Sequence, residues 1–129
     1  MTLTANTREE LDELAKNKSI DIIRNMNDLS KRMLLDSSQF SKLPDAARTK
    51  FLDEVGFSEE MMRICHFNYS ILKNELNNKD FILALSEFGL SEHIFDVYQD
   101  CKCDSASGHC ISNNPGYFCI GGGSYSKCS

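Results

Sequence analysis

Apolar residues recur at helical spacing through most of the first hundred positions. Leu11, Leu14, Ala15, Ile22, Ile23, Met26, Leu29 and Met33 fall three, four or seven apart, which predicts a long amphipathic helix ending near Asp36. Thr7, followed by Glu9 and Glu10, supplies a capping box at its start. Pro44 suits the first turn of a second helix. The face of that helix is Ala46, Ala47, Phe51, Leu52 and Val55, and Gly56 is its left-handed stop. Ser58 is placed to cap a third helix carrying Met61, Met62, Ile64, Cys65, Ile71, Leu72 and Leu76. Asp80 and Ser91 are placed to cap two shorter helices separated by Gly89. The pattern predicts an all-α segment of about five short helices, bundle-like, with no strand.

The pattern stops near residue 100. Residues 101–129 read CKCDSASGHCISNNPGYFCIGGGSYSKCS, an irregular Cys/Ser/Gly-rich tail with turn signals and few scattered apolar positions. A division into a helical unit, 1–100, and a tail, 101–129, follows. A tail of this kind needs covalent crosslinks or metal to hold one shape.

Charge and composition narrow the function. The formal net charge is −5, with 18 acidic and 12 basic residues before Cys101. That balance argues against nucleic acid and against an anionic membrane as partners. No apolar run follows Met1, and none approaches the roughly 18 residues that span a bilayer. The chain therefore reads as made and kept in the cytoplasm, at least at first. Five of its six cysteines lie in the tail, whereas cytosolic thiols normally stay reduced.

Three chemistries would reconcile the tail with its cysteines. Disulfides are the first. Five tail cysteines leave one over unless Cys65, otherwise read as a packed core residue, joins in. Metal is the second: Cys101, Cys103, His109 and Cys110 are four soft ligands, although Cys-X-Cys and His-Cys do not match the common knuckle spacing. Thioether formation is the third. Ser105 and Ser107 precede Cys110, Ser112 precedes Cys119, and Ser124 and Ser126 precede Cys128. Dehydrated serines would accept these thiols, with Cys101 and Cys103 as further donors.

A long acidic helical segment ahead of a Cys/Ser/Gly-rich C-terminus resembles a ribosomally synthesised, post-translationally modified peptide precursor. Asn113-Asn114-Pro115-Gly116-Tyr117-Phe118-Cys119 and the glycines before Cys128 look like lanthipeptide cores. The tail departs from that family in lacking Thr, and no Gly-Gly or Gly-Ala precedes Cys101. The resemblance implies a substrate, not an enzyme, with no cofactor. Its partners would be a peptide-modifying enzyme, which grips Glu10, Leu11 and Leu14 in the leader, and a leader protease or transporter. The resemblance further implies that the released core is exported as a bioactive peptide of the antimicrobial class. Two alternatives stand beside it: a helical interaction domain with a zinc- or copper-binding tail, and a disulfide-stapled exported effector.

Overall fold

The computed structural model describes residues 3–104, 107 and 109–122. Ser105, Ser124, Ser126 and Cys128 therefore lie outside the described residues.

Side-chain caps decide where the first helices begin and end. Thr7 Oγ1 accepts from Glu10 N (3.1 Å) at the head of α1 (Arg8–Lys16), and Glu10 Oε1 reaches back to Asn6 N (3.0 Å). The expected long helix breaks after one element. Asn17 Oδ1 accepts from both Ser19 N (3.1 Å) and Ser19 Oγ (2.6 Å), a local turn that competes with helix. Arg24 then gathers carbonyls that no helix satisfies, from Ala15, Asn17 and Ile20. Ile23 runs extended, its N–H donating to Glu87 O (2.8 Å). A second Asn cap, Asn25, opens α2 (Met26–Arg32) by accepting from Asp28 N at 2.8 Å.

A short 3-10 turn (Gln39–Lys42) and Pro44 lead into α3 (Asp45–Glu54), close to expectation. The first half of the expected third helix is instead a β-hairpin, and only the stretch around Ile71 and Leu72 is helical. Gly56 does not stop a helix; it begins β1 (Gly56–Ser58), which pairs antiparallel with β2 (Arg63–Asn68). Ser58 does cap, but only a single turn: its Oγ accepts from Met61 N (3.1 Å) and its carbonyl from Met62 N (2.8 Å). Met62 then reverses the chain at φ 57. Arg63, Ile64, Cys65 and Phe67 are all buried. A strand covered on both faces loses period-two alternation, so its apolar run reads as readily as helix.

Three further helices follow. They are α4 (Tyr69–Glu75), α5 (Asn78–Glu87) and α6 (Glu92–Tyr98). Asn77, not Asp80, caps α5, accepting from Asp80 N at 2.8 Å. Gly89 takes φ +90, and a Cβ there would stand 2.9 Å from Leu14 Cδ2. Ser91 caps α6 as its position predicts.

The tail supplies three more strands: β3 (Lys102–Cys103), β4 (Cys110–Ile111) and β5 (Tyr117–Cys119). β3 and β4 form a two-stranded sheet. β5 pairs antiparallel with β2, placing Phe67 opposite Phe118 in a sheet of order β1-β2-β5. The all-α expectation is thus corrected: the described chain is mixed α/β, with six helices and two antiparallel sheets. Its core is aromatic and crosses residue 100. Phe118, fully buried, stacks on Phe67 (4.9 Å between centroids) and lies 5.9 Å from Phe95. Phe67 stacks in turn on Phe88 (5.3 Å), which meets Phe40 edge-on at 5.2 Å. Ile120 and Cys119 are buried beside them. Rings at such separations add to the free energy of area burial.

One charged group lies inside this core. Arg63 on β2 is 0% exposed. Its Nε donates to Asp12 Oδ1 on α1 at 2.6 Å, and its Nη1 donates to the carbonyls of Ile64 (3.0 Å) and Gly121 (2.6 Å). Three separate segments converge on one guanidinium. Asp12→Ala would strand that charge, and removing one partner of a buried pair costs about 3–5 kcal/mol. Urea denaturation of the variant should show a lowered midpoint with an unchanged m-value; a midpoint equal to wild type would contradict the clamp.

Candidate functional site

The cysteine-bearing unit is fixed to the rest of the protein at Asp100. This residue adopts the left-handed region (φ 63), where Asp is tolerated better than most residues. Its Oδ1 accepts from Tyr69 OH on α4 and from Gly116 N (3.3 Å), while its carbonyl accepts from Asn114 N (3.0 Å). Cys101 N donates to Tyr117 O at 3.1 Å. Both ends of the 101–116 segment are thereby tied to one carboxylate and one strand. Gly116 has φ 93, which suits glycine.

Within the segment, β3 and β4 place Cys103 opposite Cys110 and Lys102 opposite Ile111. Asp104 N donates to His109 O (2.8 Å), Ser107 Oγ to Asp104 Oδ2 (2.8 Å) and His109 N to Ser107 Oγ (3.2 Å), closing the turn. Cys110 is disulfide-bonded to Cys119, with Cα atoms 5.6 Å apart. The bridge joins the small sheet to β5 and hence to the core. Cys101 and Cys103 are free thiols, both half-buried. Burial, and then the neighbouring carboxylate of Asp104, push the Cys103 thiol above the ordinary range.

The structure sorts the candidate residues as follows. Cys101, Cys103, Cys110 and Cys119 come together around two short strands and β5. Ser107 is held in the turn and Ser112 is exposed in the next loop. Cys110 uses its sulfur in the bridge and His109 is exposed. Among the described residues no group of three or more His, Cys, Asp or Glu is arranged to hold a metal. In the candidate leader grip, Glu10 is exposed, Leu14 is half-buried and Leu11 is 0% exposed in the core. Cys65 is buried as its neighbours suggest, but it is disulfide-bonded and not a free core thiol. The odd number of tail cysteines was the signal for that. Sequence reading missed Tyr69, Asp100 and Asp104; the one cue was an Asp just before the composition changes.

A second candidate is a cleft of about 770 Å³ walled by Leu3, Ile20, Leu35 and Leu83. Glu87 lies in it, but its carboxylate already accepts from Arg32 Nη1 (2.9 Å), Ser38 Oγ (2.6 Å) and Gln39 N (2.9 Å). Gln39 Oε1 is buried there without a hydrogen-bond partner. Asn17, Ser19, Asp21, Ser37 and Ser86 also line it, so the cleft has a mixed polar and apolar wall, a weaker constellation than the sulfur cluster.

No family model matches this chain, and no curated protein or solved structure matches it.

Two titrations follow from the geometry. Asp104→Asn removes the negative charge beside Cys103, so alkylation of Cys103 at fixed pH should speed up; an unchanged rate would show that the carboxylate has no hold on the thiol. Burial, and then the bond to Asp100, raise the Tyr69 phenol above its usual value. A raised folded-state value favours the neutral phenol in the folded chain. The stability this contributes is fully present below the ordinary tyrosine range and is lost as pH rises through the raised value. Tyr69→Phe should therefore flatten the alkaline fall of the urea midpoint, which Tyr117, also raised by burial, continues to share. Identical alkaline slopes would refute the assignment.

Proposed function

We propose that this chain acts as an intact, disulfide-stapled exported protein of the effector class, working by binding through a folded surface. The observation that carries this reading is Phe118. It lies in the tail, is fully buried, faces Phe67 across the β2–β5 ladder and adjoins a cysteine bridged to Cys110. Excision of the segment after Asp100 would remove a strand from the central sheet and a ring from the core. A leader that is discarded gains nothing from such a contact, whereas a protein that leaves the cell whole does.

Redox chemistry supports the same reading. Cys110–Cys119 and the oxidised Cys65 suit an oxidising compartment. A bridge closing a short loop restricts the unfolded chain and adds about 2–4 kcal/mol, which suits a segment with few apolar residues of its own.

The test is mass mapping of material recovered from an oxidising compartment. Before reductant, Cys101 and Cys103 should take up alkylating reagent while Cys65, Cys110 and Cys119 should not; after reductant these three should as well. Loss of one water per modified serine, with crosslinks that resist reductant, would instead establish the thioether precursor. Stoichiometric metal released on acidification would establish the metal-binding tail. A second measurement bears on intactness. Phe118→Ala should cost about 3–5 kcal/mol, as other buried Phe truncations do. An unshifted urea midpoint would mean that residues 1–100 hold together without the tail, and would return the excised-core reading to first place.

A further inference from the structure

Three cysteines meet where β3, β4 and β5 adjoin, and two of them, Cys110 and Cys119, are bonded to each other. Cys103 and Cys110 are register partners on β3 and β4. Asp104 N donates to His109 O one residue nearer the turn. That pattern makes Cys103 and Cys110 a non-hydrogen-bonded pair, the closer of the two antiparallel positions, with Cα atoms about 4.5 Å apart. Disulfides span Cα separations of about 4.4–6.8 Å. Cys110 therefore has two partners within bonding reach: Cys119, which holds it, and Cys103, whose thiol is free.

We propose that this cluster is a thiol–disulfide exchange site, in which Cys103 displaces Cys119 from Cys110. The Cys103 thiolate attacks Cys110 Sγ. The Cys110–Cys119 bond breaks, a Cys103–Cys110 bond forms, and the electron pair leaves on Cys119 Sγ. Cys119 takes up the proton that Cys103 gave to solvent. One S–S bond replaces another, so no oxidant or reductant is consumed. The product bridge lies wholly within the β3–β4 hairpin. β5 loses its covalent tie to that hairpin and keeps its ladder with β2, the Cys101 N–Tyr117 O bond and the packing of Phe118. The exchange goes beyond the function proposed above, because it requires the bridge and not export or a target.

The geometry distinguishes Cys103 from its neighbour. Cys101 lies just before β3, outside its pairing with β4, and its N–H is tied to Tyr117 O. No cysteine faces Cys101 across the ladder in the described pairing.

The experiment uses the full chain, incubated in mildly alkaline buffer without added thiol, quenched in acid, then unfolded and alkylated. Cleavage before Asp104 and after Tyr117 or Phe118 separates the three sulfurs for mapping. The time-zero sample reads the starting bridge. Its absence would overturn both the stapled-protein reading and this one. With the bridge present at the start, alkylated Cys119 and a Cys103–Cys110 crosslink should grow together, and Cys103→Ser should slow the release of Cys119 by about tenfold or more. Cys101→Ser should leave it unchanged. Release of Cys119 at the same rate in Cys103→Ser, or no release from a bridge present at the start, would overturn the exchange alone.

Discussion

A guanidinium sealed inside a small protein sets a hard condition on everything around it. Arg63 cannot reach water, and a buried charge that loses its partner costs about 3–5 kcal/mol, a large share of the roughly 5–15 kcal/mol by which domains are stable. Its partners are a carboxylate on α1 and carbonyls at Ile64 and Gly121. The first helix, the central strand and the segment after β5 must therefore arrive together. Hydrophobic contacts tolerate sliding, because they are non-directional. The Arg63 contacts do not, and they define which register of the aromatic core is acceptable.

That condition explains why local signals succeeded at the helix ends and failed between them. Thr7 and Ser91 cap through short side-chain oxygens that act within three residues. Pro44 and Gly89 act through their own backbone, so their roles need no partner. The hairpin at 56–68 is different. Its strands are stabilised by α1, by Phe88 and by a strand fifty residues later, none of which leaves a mark on local periodicity. Tyr117-Phe118-Cys119-Ile120 looked like a scattered apolar remnant because three strand residues are too few to show a pattern. The sulfur cluster was legible as a set of residues and illegible as a geometry, since pairing depends on the register of β3 on β4.

The distribution of sulfur follows the distribution of grease. The helices share their core with β5, and the bridge between Cys110 and Cys119 occurs where the chain has two-residue strands and turns. Asp100 does for hydrogen bonding what the bridge does covalently, holding the beginning and end of the loop on one carboxylate. The two devices operate at opposite ends of the same segment, so the hairpin is held at its base and at β4.

The strand order β1-β2-β5 also has a bearing on synthesis. A ribosome delivers Phe67 about fifty residues before Phe118, a wait of roughly 3–10 s at ordinary elongation speeds. Through that interval β2 has β1 on one edge and nothing yet available for the other, while Phe67 and Phe88 await the ring that will cover them. An open strand edge beside uncovered aromatics is the kind of surface that nascent chains stick through. Escorting factors that shield the growing polypeptide would accordingly find their binding stretch around residues 63–68, and would be dismissed when the last strand docks.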